Sequence, residues 1–214
     1  MRRTTRTRFG VGMDDITPRT RLLAGAAIAA PLLLLASTVT YLAGDGLGDD
    51  PAGGAIQVYA AVAFGLAIIG LTARIEPHLP RLATALTVTG MVGVAGAVGF
   101  GQDSIVYSYN PLAALSEHES VAAGVALFFP GVVFPATLAG LGLAAARTRI
   151  APRWAGALLA AGALCFPVSR IGEIGALALA ADMLIAGGLV PIGLSAFGWH
   201  APAVRAVRPG RVAA

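Results

Sequence analysis

Ser116-Glu117-His118-Glu119-Ser120 sets three side chains of metal-ligating type in a row. On a continuous helix Glu117 and Glu119 point about 200° apart at 100° per residue, so one ion cannot be gripped by both. The run fits a capping box better. Ser116 caps, Glu119 returns to its amide, and two carboxylates sit at the positive end of the helix dipole. The expectation is a helix start and no metal site. Asp182 interrupts a long apolar run instead, about eight residues in, or ~12 Å deep at 1.5 Å per residue. An ionised carboxylate at such a depth in lipid costs up to about 2.5–3.5 kcal/mol, so it must be paired, protonated or functional. Arg170 is the expected partner, brought across by the short turn Gly172 to Gly175. A structural ion pair is preferred to a proton or substrate relay. Asp103, with Tyr107, Tyr109 and Asn110, falls in a polar stretch from Gln102 to Leu115, read as an interfacial loop with a ligand lid as the sharper alternative. The candidate polar cluster is therefore Asp103, Glu117, His118, Glu119, Arg170 and Asp182.

Other chemistries find no motif. Cys165 is the single cysteine, which excludes an intrachain disulfide and a cysteine metal site. The sequence has no Gly-x-Ser-x-Gly elbow, His-Glu-x-x-His pair or phosphate loop. His78 and His200 fall on the opposite side from His118, so histidines do not sandwich a haem. The Gly44 to Gly54 loop holds three aspartates without the ligand spacing of an EF-hand and reads as a flexible acidic turn. No cofactor is implied.

The elements that must position these residues are set by composition. Of 214 residues, 57% are apolar and only 12% charged, and the mean hydropathy is +0.78. Soluble domains carry about 25% charge, and this chain has too little to cover a water-facing surface. Apolar runs long enough to cross a bilayer fall at about 22–43, 55–73, 82–101, 121–146, 154–171 and 174–199. Long unbroken runs specify helices rather than a barrel of alternating strands. The expected fold is all-α, a six-helix integral membrane bundle.

All 15 basic residues are arginine, a pattern of GC-rich bacterial coding. Fourteen flank the runs on one side and only Arg170 falls on the other. The positive-inside rule then places both termini in the cytoplasm, in a bacterial inner membrane, with the loops at 44–54, 102–120 and 170–175 outside. The same bias accounts for the high pI, so nucleic acid is not an expected partner; the bilayer is, together with a second copy of the chain or a partner membrane subunit. Residues 1–21 form a basic N-terminal segment, 22–199 the transmembrane domain and 200–214 a basic tail. Residues 1–12 are read as lying upstream of an alternative start at Met13, because Thr17 can cap and Pro18 can open a helix directly. The first run is too long for a signal peptide, and Tyr41 occupies a position where a cleavage site needs a small residue.

Gly90, Gly93, Gly96 and Gly99 form a ridge without side chains on the third run, suited to close backbone packing. Gly124, Phe128, Gly131, Pro135, Leu138 and Gly142 mark one face of the fourth at heptad spacing. Prolines at 31, 130, 135, 167 and 191 bend their helices. Arg74-Ile75-Glu76-Pro77 resembles Arg149-Ile150-Ala151-Pro152, which raises a parallel duplication of two hairpins against the bland reading of two similar turns.

The stretch from Arg149 to Pro167, with the six-run layout, resembles small uncharacterised polytopic membrane proteins of GC-rich bacteria. That resemblance implies the fold and no activity. Two functional readings follow. The first is a non-enzymatic accessory, sensory or small permease-like protein with its polar residues at the outer mouth. The second is an enzyme at the outer leaflet using Glu117, His118, Glu119 and Asp103 as ligands or acid-base groups.

Overall fold

The computed structural model describes residues 17–197 apart from 45 and 119. Its six long helices are α1 (Pro18–Ala43), α2 (Pro51–Ile75), α3 (Pro80–Tyr109), α4 (Val121–Thr148), α5 (Arg153–Ile171) and α6 (Gly175–Ser195). All six are long and apolar enough to cross a membrane, which is consistent with a multi-pass membrane protein. Among the described residues no strand occurs.

Helix starts follow the local chemistry. Thr17 accepts a hydrogen bond from the Thr20 amide at 3.2 Å ahead of Pro18. Asp50 accepts one from Gly53 at 2.7 Å ahead of Pro51. In both, proline opens the helix, where its missing N–H costs nothing. The 44–54 loop is thus shorter than its composition suggests, since its second half is the first turn of α2. The polar stretch after the third run also differs from expectation: α3 continues to Tyr109, so Asp103, Tyr107 and Tyr109 lie on helix and Asn110 is its C-cap.

Each helix packs on its sequence neighbours, and α6 returns to pack on α1, closing a ring. Across the interior α2 meets α4 through Phe64 and Phe134, whose rings stand edge to face at 5.1 Å. One end of the bundle carries Arg19, Arg21, Arg74, Arg81, Arg147, Arg149 and Arg153, and the other carries Asp49, Asp50, Asp103, Glu117 and Glu173. The arginine-end half holds a core of Ile68, Leu71, Leu138, Leu141, Leu159, Leu189 and Ile192, with a cleft of about 500 Å³ beside it between α1, α2 and the end of α6.

The glycine ridge of α3 faces α4. A Cβ on Gly93 would sit 2.6 Å from the Phe134 Cα and one on Gly99 3.3 Å from the Leu127 side chain, while Gly90, at the other end of the ridge, lies against Ile68 of α2. The heptad face of α4 holds for Pro135, Leu138 and Gly142, which are buried, but not at its first turn. There Leu127 is 2% exposed and Phe128 57% exposed. Pro130 lacks the N–H that would continue the ladder, and the chain widens into a π turn at Gly124–Phe128, with the Phe129 amide bonded to the Gly124 carbonyl. One extra residue per turn rotates the face, which is why Leu127 replaces Phe128 inside.

The two similar arginine turns are not equivalent. Arg74 reaches sideways to the Ile150 and Ile192 carbonyls at 3.0 and 3.1 Å and to Ser195 Oγ at 3.1 Å, tying α2 to the α4–α5 turn and to α6. Arg149 instead ends α4 in a left-handed conformation with φ 59°. The structure gives these two positions different work.

Candidate functional site

Asp182 is 0% exposed, deep in α6, and its partners come from two other helices. Arg170, next to last in α5, approaches Asp182 Oδ2 at 3.1 Å, and its side chain remains 21% exposed. Thr38 of α1 links them, accepting from Arg170 Nη2 and donating to Asp182 Oδ2, each at 2.5 Å. The guanidinium lies 5.0 Å over the Phe166 ring, one turn earlier on the same helix. That stacking explains how an arginine at a helix end turns back into the bundle, its stem following apolar surface. The final hairpin is closed by three residues, with Glu173 exposed and left-handed at φ 51°. The ion pair expected from sequence is therefore formed, with a hydroxyl at its centre. Arg170 Nε and Asp182 Oδ1 are buried without a hydrogen-bond partner.

A second polar group lies beside the first. The Tyr41 hydroxyl of α1 is 3.1 Å from both Gln57 Oε1 of α2 and Ser104 Oγ of α3. Ser104 donates to the Phe100 carbonyl at 2.9 Å, which leaves it free to accept from Tyr41. Ser37 donates to the Gly53 carbonyl at 2.8 Å and pins α1 to α2 at the same level.

Between these groups and the core lies a cavity of about 290 Å³ in the acidic-end half. Every helix except α6 lines it. Phe64, Ala97, Phe100, Phe134 and Phe166 stand in its apolar wall, while Tyr41, Gln57, Ser104 and Arg170 supply the polar groups. Leu47 and Gly48 of the first loop lie at its edge, on a loop held to α3 by a 2.7 Å bond from Ser108 Oγ to the Asp49 carbonyl. At ~30 Å³ per water, such a space equals about ten water molecules.

The other sequence candidates lie elsewhere. The Asp103 carboxylate accepts from the Leu115 and Ser116 amides at 2.6 and 3.1 Å. It holds Leu115–Glu117 as a separate 3₁₀ turn, so Ser116 does not cap α4 as expected. Ser120 does, its hydroxyl accepting from the Ala123 amide at 3.1 Å. His118 Nδ1 is 2.8 Å from the Ala114 carbonyl, and Glu117 is exposed on the turn. Glu119 and His200 lie outside the described residues. Among the described residues no three His, Cys, Asp or Glu side chains group to hold a metal ion. The candidates thus divide into the Arg170–Asp182 pair, inside the bundle, and Asp103, Glu117 and His118, at its rim.

No known protein family, curated protein or solved structure matches the chain. Its chemistry rests on these contacts alone. Reading by residue type missed Thr38, Tyr41, Gln57 and Ser104. Thr38, Tyr41 and Gln57 are neutral polar residues that interrupt apolar runs, the one signal they carry, while Ser104 falls in the stretch read as a polar loop.

Proposed function

We propose that this chain is a non-enzymatic inner-membrane protein of accessory or sensory type, with its arginine-rich end in the cytoplasm, that holds a small and largely apolar molecule in the acidic-end cavity. The observation that carries this reading is the cavity itself, about 290 Å³ of mostly apolar space topped by polar groups from several helices. Ligand pockets are commonly apolar, with a few converging polar groups that fix orientation. A holding role is favoured over a permease by the packing of α4, α5 and α6 in the other half of the bundle. There a Cβ on Gly142 would sit 2.5 Å from the Gly156 carbonyl oxygen, and one on Gly188 2.6 Å from that of Ala155. Backbones in such close contact leave α4, α5 and α6 no room to slide past one another as a gate would.

The test uses protein in lipid nanodiscs and 2-acetylnaphthalene as probe. Wild type should show a saturable rise in unfolding temperature, and Ala97→Phe, which fills the cavity from α3, should not. A wild type without a saturable rise overturns the reading.

A further inference from the structure

The cavity has a guanidinium in its wall and yet presents no net charge. Arg170 lines it, but the Arg170 charge is balanced at 3.1 Å by Asp182, a carboxylate that is itself fully buried. The remaining polar groups of the wall, Tyr41, Gln57 and Ser104, are neutral. An incoming anion would lose its hydration and meet a cation already neutralised, and an incoming amine would meet no free carboxylate in the wall; a buried charge without its own partner is costly. A hydrogen-bond donor is nevertheless unspent, because the Arg170 guanidinium lines the cavity and, among the described residues, only its Nη2 is hydrogen-bonded. An acceptor that carries no charge can use such a donor without bringing in a counter-ion.

Resting on the function proposed above, we infer that the cavity selects an uncharged molecule that carries a hydrogen-bond acceptor, a ketone-, ester- or quinone-type carbonyl, on an apolar body. The aromatic rings of Phe64, Phe134 and Phe166 flank the space for that body. Phe134 lies edge to face with each of the other two, at 5.1 and 6.4 Å, so a flat ring entering among them meets both faces and edges.

Three matched probes separate the terms: 2-acetylnaphthalene, 2-naphthoate and 2-ethylnaphthalene, titrated onto protein in nanodiscs. Each signal is corrected by the amount bound to Ala97→Phe discs, which removes partition into lipid. The ketone should bind best, the hydrocarbon at least tenfold more weakly, the worth of one hydrogen bond to a charged donor, and the carboxylate at least tenfold more weakly. Asp182→Asn releases the Arg170 charge and should raise carboxylate affinity at least tenfold relative to the ketone. Should that variant fail to fold, the wild-type order decides alone. A wild type that prefers naphthoate overturns this inference and leaves the cavity reading standing. Equal binding of ketone and hydrocarbon also overturns it. Absence of corrected binding by all three probes instead overturns the proposed function.

Discussion

Replacing Arg170 by methionine removes the cation that faces a carboxylate with 0% exposure and leaves Asp182 with the Thr38 hydroxyl as its remaining partner. At 3.1 Å and an effective dielectric of ~20, the lost attraction is about 5 kcal/mol before desolvation is set against it. Breaking a buried pair from one side costs about 3–5 kcal/mol, whereas replacing both members is often near neutral. Arg170→Met and Asp182→Asn should each destabilise by about that amount, and the double variant by much less than their sum. Neutral interhelical hydrogen bonds in membranes couple by about 0.6 kcal/mol and reach ~1.7 at most. A coupling above about 2 kcal/mol therefore identifies a charge pair. Reversible unfolding in mixed micelles, run as a double-mutant cycle, reads it directly. Losses that add to within ~0.5 kcal/mol would refute the pair and the charge balance built on it.

Gly93→Ala places a methyl 2.6 Å from the Phe134 Cα and should cost about 1–3 kcal/mol in the same assay, while an unchanged stability would mean that α3 and α4 stand further apart. Arg74→Met removes three charge-assisted contacts, to Ile150, Ile192 and Ser195, and should cost more than about 2 kcal/mol. Arg74→Lys should recover only part of it, because a single ammonium lacks the guanidinium fork; full recovery would show that one contact matters. In a Cys165→Ala background, a cysteine at residue 78 should react with membrane-impermeant maleimide only from the cytoplasmic side and one at residue 112 only from outside, and the reverse pattern would invert the proposed orientation.

The spans were legible because lipid imposes one rule on every backbone amide, and the expected and observed limits agree within a few residues at most ends. Where they differ, the cause is local. Beyond residue 101, α3 continues through Gln102, Asp103 and Ser104, residues that hydropathy reads as loop but that extend a helix past the apolar layer. The start of α4 moved from Ser116 to Ser120 because Asp103, distant in sequence, claims the amides of Leu115 and Ser116. Phe128 left the packed face because Pro130 widens the preceding turn, a shift that heptad counting does not include. Arg170 and Asp182 could be paired from sequence because Asp182 is the only charge inside the sixth run and Arg170 the only arginine on its side of the spans, and an intramembrane charge has few alternatives. Tyr41, Gln57 and Ser104 gave no such signal. A neutral polar group costs little in an apolar run, and whether three of them meet depends on the rotation of three helices.

Light-driven cross-linking with benzophenone, an uncharged aromatic ketone that inserts into nearby C–H bonds, tests most directly whether the cavity is a binding site. After irradiation of the protein in nanodiscs, peptide mapping should place the adducts on Phe64, Ala97, Phe134 and their cavity neighbours, saturably, with loss in Ala97→Phe. Adducts spread over exposed positions such as Leu32, Val62 and Val88, unchanged in Ala97→Phe, would show that the ketone meets only the lipid-facing surface and would contradict a ligand site inside the bundle.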